Sequence, residues 1–199
     1  MMYRIAYGVM SLPVRLYNYL YSRRLHDYCT AAEGVEFYPQ AKIYNSAGRE
    51  AIKIGINSLC MGEMLIVGKS GKIIIGDWCS LSPDTKIWSM ERIEIGNRVI
   101  LSHGVQIFDN NSHSLSAIDR HERFRELRIH GGHLQSEKVS HKAVRIEDDA
   151  WIGFNSAILK GVTVGKGAIV GACSVITQDV EPFAIVVGNP ARKVGESRP

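Results

Sequence analysis

The stretch "QIFDNNSHSL" over residues 106–115 turns through an acid and two asparagines and then presents a histidine. An imidazole titrates near neutrality, so His113 has the chemistry to take a proton from an attacking hydroxyl or amine and to pass it on later. Asp109 or a backbone carbonyl could hold the other ring nitrogen and set the tautomer. The competing reading is a polar loop residue, one among seven histidines. His103 lies inside a regular unit, "LSHGV", and reads as a corner or subunit-interface residue. His121, His130, His133 and His141 fall in one long segment. Its "HGGH" invites a metal, but two histidines without a Cys or an acid at ligand spacing make a weak site, and no metal is expected.

These residues need a scaffold, and the flanking sequence describes one. Ile146, Ile152, Ile158, Val164, Val170 and Ile176 recur every six residues, with Ala150, Ser156, Val162, Ala168 and Ser174 four positions after an aliphatic. Ile75, Leu81 and Ile87 keep the same step, as do Ile95, Leu101 and Ile107, while Ile54, Cys60 and Ile66 form a weaker set. An amphipathic helix demands spacings of three and four, and a sandwich strand demands alternation. A step of six instead fits a solenoid with three flat faces per coil, aliphatics pointing inward and glycine easing the corners. The expected fold class is an all-β solenoid.

At 199 residues the chain is long enough for one well-buried domain with a small appendage. With 45% apolar and 22% charged residues it reads as an ordinary globular protein, and a net charge of +4 without a dense basic block gives no support to nucleic-acid binding. Cys29, Cys60, Cys79 and Cys173 form no CxxC pair, which favours a reducing, cytoplasmic setting. No apolar run approaches the roughly 18 residues of a membrane span. The opening "MMYRIAYGVMSLPV" makes a poor signal peptide.

The segment "IEDDAWIGFNSAILKGVTVGKGAIVGACSVITQDVEPFAIVVGNPARKV" resembles the C-terminal coils of the hexapeptide-repeat acyltransferases, densely over 144–194 and more loosely over 43–113. The resemblance implies a left-handed parallel β-helix assembled as a homotrimer, with acetyl-CoA as the acyl donor. In the branch of this family that acetylates sugars and polysaccharides, a histidine sits on a loop leaving the helix just before the final coils. "DNNSH" matches that position, so the resemblance makes His113 the general base, and Asp109 or a backbone carbonyl remains the candidate to orient its ring. It places the oxyanion donor near Gly153 and Phe154. It runs the coenzyme A arm past Gly153, Phe154, Ala172 and Thr177, and it sets Arg192 and Lys193 near the phosphates. Gln178 stands where the family often has lysine, which removes a phosphate-binding charge. Ser82, Asp84 and Asn111 are the acceptor-side candidates, although turn chemistry alone accounts for Pro83-Asp84.

The polar segment 114–143 resembles the family's extended loop, which reaches over a neighbouring subunit and borders the acceptor pocket. The plainer alternative is a solvated excursion with one short helix at 117–127. Its length exceeds that of the galactoside and maltose acetyltransferases, whose N-terminal sugar-binding segment is not recognisable here. The expected organisation is an N-terminal helical cap or interfacial segment over 1–40, a β-helix over 41–194 with its excursion at 109–143, and a tail at 195–199. The first 29 residues hold six of the eight tyrosines and four arginines against one aspartate. Pro13 argues for two short helices there. Such a segment suits either a cap on the open end of the solenoid or peripheral membrane contact through residues 1–28 at the inner face of the membrane. The expected activity is acetyl-CoA-dependent O-acetylation of a sugar hydroxyl, on a bacterial surface polysaccharide or its precursor. N-acetylation of an amino-sugar nucleotide, a non-catalytic β-helix scaffold and a β-helical carbonic anhydrase remain as alternatives.

Overall fold

Short β-strands wind into a triangular prism in which each coil contributes one strand to each of three sheets, parallel except where Ala191–Glu196 pairs antiparallel with Ala184–Gly188. The computed structural model describes residues 12–131 and 139–199. The first face stacks Thr30–Ala31, Ile52–Ile54, Ile73–Ile75, Ile93–Ile95, Val144–Ile146 and Thr163–Val164. The second face begins at Glu36–Phe37 and the third at Lys42–Tyr44, and each likewise gains one strand per coil. The six-residue step is the perimeter of this prism divided by its faces. Ile75, Ile95, Ile146 and Val164 stand in register on the first face. Leu81, Leu101, Ile152 and Val170 do so on the second, and Ile87, Ile107, Ile158 and Ile176 on the third. All twelve are buried, so the core is a stack of aliphatic triangles.

Two parts of the winding differ from the expectation. The weaker set Ile54, Cys60, Ile66 misplaces its last member, because Met64 pairs with Ile87 and Ile66 pairs with Ser89. This coil turns after four residues rather than six. Gly62 allows it: a Cβ there would lie 2.7 Å from the Thr85 carbonyl oxygen. A full coil also precedes it. Ala31, Phe37 and Ile43 keep the six-residue step and pair with Ile54, Cys60 and Met64. The solenoid therefore starts at Thr30, and a boundary at residue 40 falls inside its first coil.

The corner between the first and second faces is built from side-chain caps. Asp77 Oδ1 accepts the Ile56 N–H (2.9 Å), Asn97 Oδ1 accepts the Asp77 N–H (2.8 Å), and Asp148 Oδ1 accepts the Asn97 N–H (2.8 Å). Each cap ties one coil to the next. At Gly96 a Cβ would stand 2.4 Å from Asp148 Oδ1, so only glycine permits that approach.

Helix α1 (Leu12–Leu25) runs unbroken, with Pro13 in its first turn, where the missing N–H costs nothing. The further helix expected before Pro13 lies outside the described residues. The C-terminal end of α1 docks on the first coil. Leu25 is buried, Tyr21 donates its hydroxyl to the Ala41 carbonyl (3.0 Å), and His26 meets the Phe37 ring edge-on at 5.1 Å. Leu16, Tyr17 and Leu20 stay exposed. No helix among the described residues is long and apolar enough to cross a membrane. Helix α2 (Ala117–His130) occupies the excursion and extends past the expected 117–127. Ser116 caps its first turn, and none of its residues is buried. Three cysteines, Cys29, Cys60 and Cys79, are buried, and burial pushes the Cys29 thiol up to about 11.

Candidate active site

His113 is positioned by what happens at the end of the third face. The strand Gln106–Phe108 ends there, and the fully buried Asp109 receives four donors: Ser89 Oγ (2.8 Å), the Met90 N–H (2.7 Å), the Glu91 N–H (2.8 Å) and Asn110 Nδ2 (2.9 Å). This differs from the expectation that Asp109 holds the His113 ring. Both carboxylate oxygens are committed to the corner, so Asp109 anchors the exit of the loop rather than the imidazole.

Beyond that anchor the chain turns tightly. Asn110 Oδ1 accepts the Ser112 N–H (2.8 Å), Ser112 adopts a φ of 59°, and the His113 N–H returns to the Asn111 carbonyl (2.6 Å). The excursion closes on itself at its base. The Asn111 N–H donates to the Ser140 carbonyl (3.0 Å) and the Lys142 N–H to the Asp109 carbonyl (2.8 Å), while His141 Nδ1 lies 2.8 Å from Glu91 Oε2. The imidazole of His113 is exposed and forms no hydrogen bond among the described residues, and Asn111 is exposed beside it. Two arginines of α2 hold the loop from the other side. Arg120 Nη1 donates to the Ser114 and Leu115 carbonyls (2.9 Å each), and Arg123 Nη1 to the Ser112 carbonyl (3.3 Å). Sequence reasoning missed both, and their three-residue spacing on the expected helix was the available signal.

The remaining candidates gather elsewhere. Ser82, Asp84, His103, Gly153, Phe154 and Ala172 lie along the corner between the second and third faces, the opposite edge of the third face from His113. Consecutive coils join there, the Asn155 N–H donating to the His103 carbonyl (2.9 Å) and the Cys173 N–H to the Phe154 carbonyl (2.8 Å). The strand Gln106–Phe108 lies between that corner and the His113 loop, and His113 makes no hydrogen bond to these groups among the described residues. The acceptor candidates Ser82 and Asp84 are thus not brought to His113 by the fold of one subunit.

Gly153 is corrected as an oxyanion donor. Its N–H already donates to the Val170 carbonyl (2.7 Å), and a Cβ on it would lie 2.6 Å from the Ala172 nitrogen. Its role is close stacking of the last two coils. The Phe154 amide, at the exposed turn, makes no such bond among the described residues.

Thr177, Gln178, Arg192 and Lys193 do come together, lining a pocket of about 240 Å³ at the C-terminal end of the prism. Lys193 is held there by Glu181 (2.8 Å) and Glu196 (3.2 Å), which raise its pKa and offset its charge. Arg192 is exposed and, among the described residues, donates only to the Ala191 carbonyl (2.8 Å), so its guanidinium is the freer cation of the two. Among the described residues no group of three or more His, Cys, Asp or Glu is placed to hold a metal ion. His133 lies outside the described residues.

Residues 143–178 match the family model described as bacterial transferase hexapeptide (six repeats). A chloramphenicol acetyltransferase of Klebsiella aerogenes is 49% identical over 49 residues, which is 25% of this chain and 23% of that protein. The chain thus spans about a quarter of the length of the curated relatives it matches. Over nearly the whole fold, it resembles the crystal structure of AntD, an N-acyltransferase from Bacillus cereus, with a TM-score of 0.68 and 20% identity, covering 88% of this chain and 86% of that one. A hexapeptide-repeat acetyltransferase of Vibrio cholerae O1 biovar eltor, VCA0836, is 26% identical with a TM-score of 0.51, covering 93% of this chain and 79% of that one. The last coils of this chain are transferase-type hexapeptide repeats, and its fold is that of the hexapeptide-repeat acyltransferases.

Proposed function

We propose that the chain is an acetyl-CoA-dependent O-acetyltransferase acting on a sugar hydroxyl of a bacterial surface polysaccharide or its precursor, at the cytoplasmic side of the membrane. The carrying observation is His113, exposed on an anchored loop at the start of the excursion that precedes coils of the transferase hexapeptide type. The acetyl-CoA complex of the Vibrio cholerae relative supports the choice of donor. The coil is read as left-handed and the assembly as a homotrimer. A trimer would set the His113 loop of one subunit against the Phe154 corner of the next. It would also cover the half-exposed Ile100 and Trp151, which are adjacent on the outer second face.

In this reading a ring nitrogen of His113 takes the acceptor proton as the oxygen attacks the thioester carbonyl carbon. The Phe154 amide meets the developing oxyanion. The C–S bond then breaks, and the departing thiolate recovers the proton from the imidazolium.

An amine acceptor needs the same base, and AntD, studied with dTDP-4-amino-4,6-dideoxyglucose, is an N-acyltransferase. N-acylation of an amino sugar is therefore the second reading. Purified protein with acetyl-CoA and a panel of sugars and sugar nucleotides separates the two by thiol release. His113→Ala is expected to lower kcat by roughly 10²–10⁴ without disturbing assembly. Normal turnover by that variant removes the mechanism. Release only with amine-bearing acceptors moves the chain to the second reading.

A further inference from the structure

Beside the loop that carries His113 lies a groove of about 910 Å³, bounded by α1, the outer third face of the first two coils and Arg123 of α2. Arg24, Lys42, Lys69 and Arg123 line it. None of them takes part in the ion pairs formed among the described residues, and Arg123 donates only to a carbonyl. The one carboxylate in the lining, Glu63, is engaged by the indole N–H of Trp88 (2.9 Å). Four cations against one carboxylate leave the concavity net positive, and a multiply charged phosphate is the anion that matches several cations at once.

The remaining wall mixes aliphatic and small polar residues with three tyrosines. Tyr21, Tyr28 and Tyr44 line the same groove, and Tyr21 is fixed in place by its bond to the Ala41 carbonyl (3.0 Å). Such a wall can stack on a base or pack an isoprenoid beside the phosphates. The groove also communicates with the candidate base, since the Arg123 guanidinium reaches the carbonyl of Ser112, the residue before His113. The coenzyme A candidates Ala172, Thr177, Gln178 and Arg192 lie on the last coils, several coil spacings of ~4.8 Å away, so the groove is not their site.

We infer that this groove holds the diphosphate of the acceptor, so that the sugar is acylated while still attached to its carrier, a nucleoside diphosphate or a polyprenyl diphosphate. The inference rests on the acyltransferase reading above. It makes the substrate an activated precursor rather than a free sugar or a finished polymer.

The test is calorimetric titration of the full chain with UDP, dTDP and farnesyl diphosphate, with coenzyme A saturating so that its own pyrophosphate site is filled. The Lys42→Ala/Lys69→Ala variant runs alongside; both side chains are exposed, and its coenzyme A affinity serves as the check on folding. At least one probe is expected to bind, and the variant to bind it at least roughly tenfold more weakly, with coenzyme A affinity unchanged. Preference for the nucleotides identifies a nucleotide carrier, and preference for farnesyl diphosphate a lipid carrier. If coenzyme A binds and no probe does, or if the variant binds the probes as tightly as the parent, the groove assignment is overturned and the acyltransferase reading stands. If coenzyme A itself fails to bind, the acyltransferase reading falls and takes the groove assignment with it.

Discussion

Four donors converge on the Asp109 carboxylate at the point where the chain leaves the third face, and two of them are backbone N–H groups that no other acceptor reaches. Exchanging one carboxylate oxygen for an amide NH₂ would set a donor against those donors at a fully buried position. Asp109→Asn is therefore expected to cost about 2–3 kcal/mol of folding stability, read as a lower denaturant midpoint at unchanged slope. The same change lets the loop drift, so kcat should fall while coenzyme A affinity holds. An unchanged midpoint would mean that the corner is held by other bonds. The type of Asp109 was informative in the sequence, because an acid near a histidine is a candidate to orient its ring, yet its direction was not. Spacing cannot tell whether a carboxylate four residues before a histidine faces that histidine or the corner behind it.

The excursion at 109–143 interrupts the solenoid between its fourth and fifth coils, and contacts at the corner between the first and second faces help carry the continuity. Arg98 grips Asp149 through two bonds, Nε to Oδ1 (2.6 Å) and Nη2 to Oδ2 (3.0 Å), next to the Asn97–Asp148 cap. The hydrogen bond from Arg98 holds the Asp149 carboxyl below its ordinary value. A depressed carboxyl contributes stability above its unfolded value, near pH ~4, and that contribution fades as pH falls through the lower folded value. Arg98→Ala should lower stability only slightly at neutral pH, since the pair is solvent-screened, and should flatten the loss of stability below pH ~4. Parallel acid-unfolding curves for the two proteins would remove that role. The elements themselves were legible wherever aliphatics kept step, from Ile73–Ile75 onward. The first coil escaped notice because Ala31 and Phe37 stand where aliphatics were sought, and Met64 was passed over because Gly62 shortens its corner.

For the molecule as a whole, the separation of the candidate site into two edges of one face is the decisive geometry. Residues distant in sequence stack on one corner, whereas His113 and Phe154 stand on opposite corners, a relation that only the winding of the chain reveals. A complete site then needs the loop of one copy and the corner of another, and complementation tests this directly. His113→Ala removes the base. Ala172→Trp fills the opposite corner at an exposed position, and each variant alone should be nearly inactive. In trimers assembled at random from equal amounts of both, each site draws its histidine from one subunit and its corner from the next. About a quarter of the sites combine an intact histidine with an intact corner, so co-expression should restore up to about a quarter of parental activity. Two variants that stay silent together, in trimers shown by mass to be mixed, would mean that each chain builds its site alone. The loop would then have to swing around its own prism to reach the acyl donor.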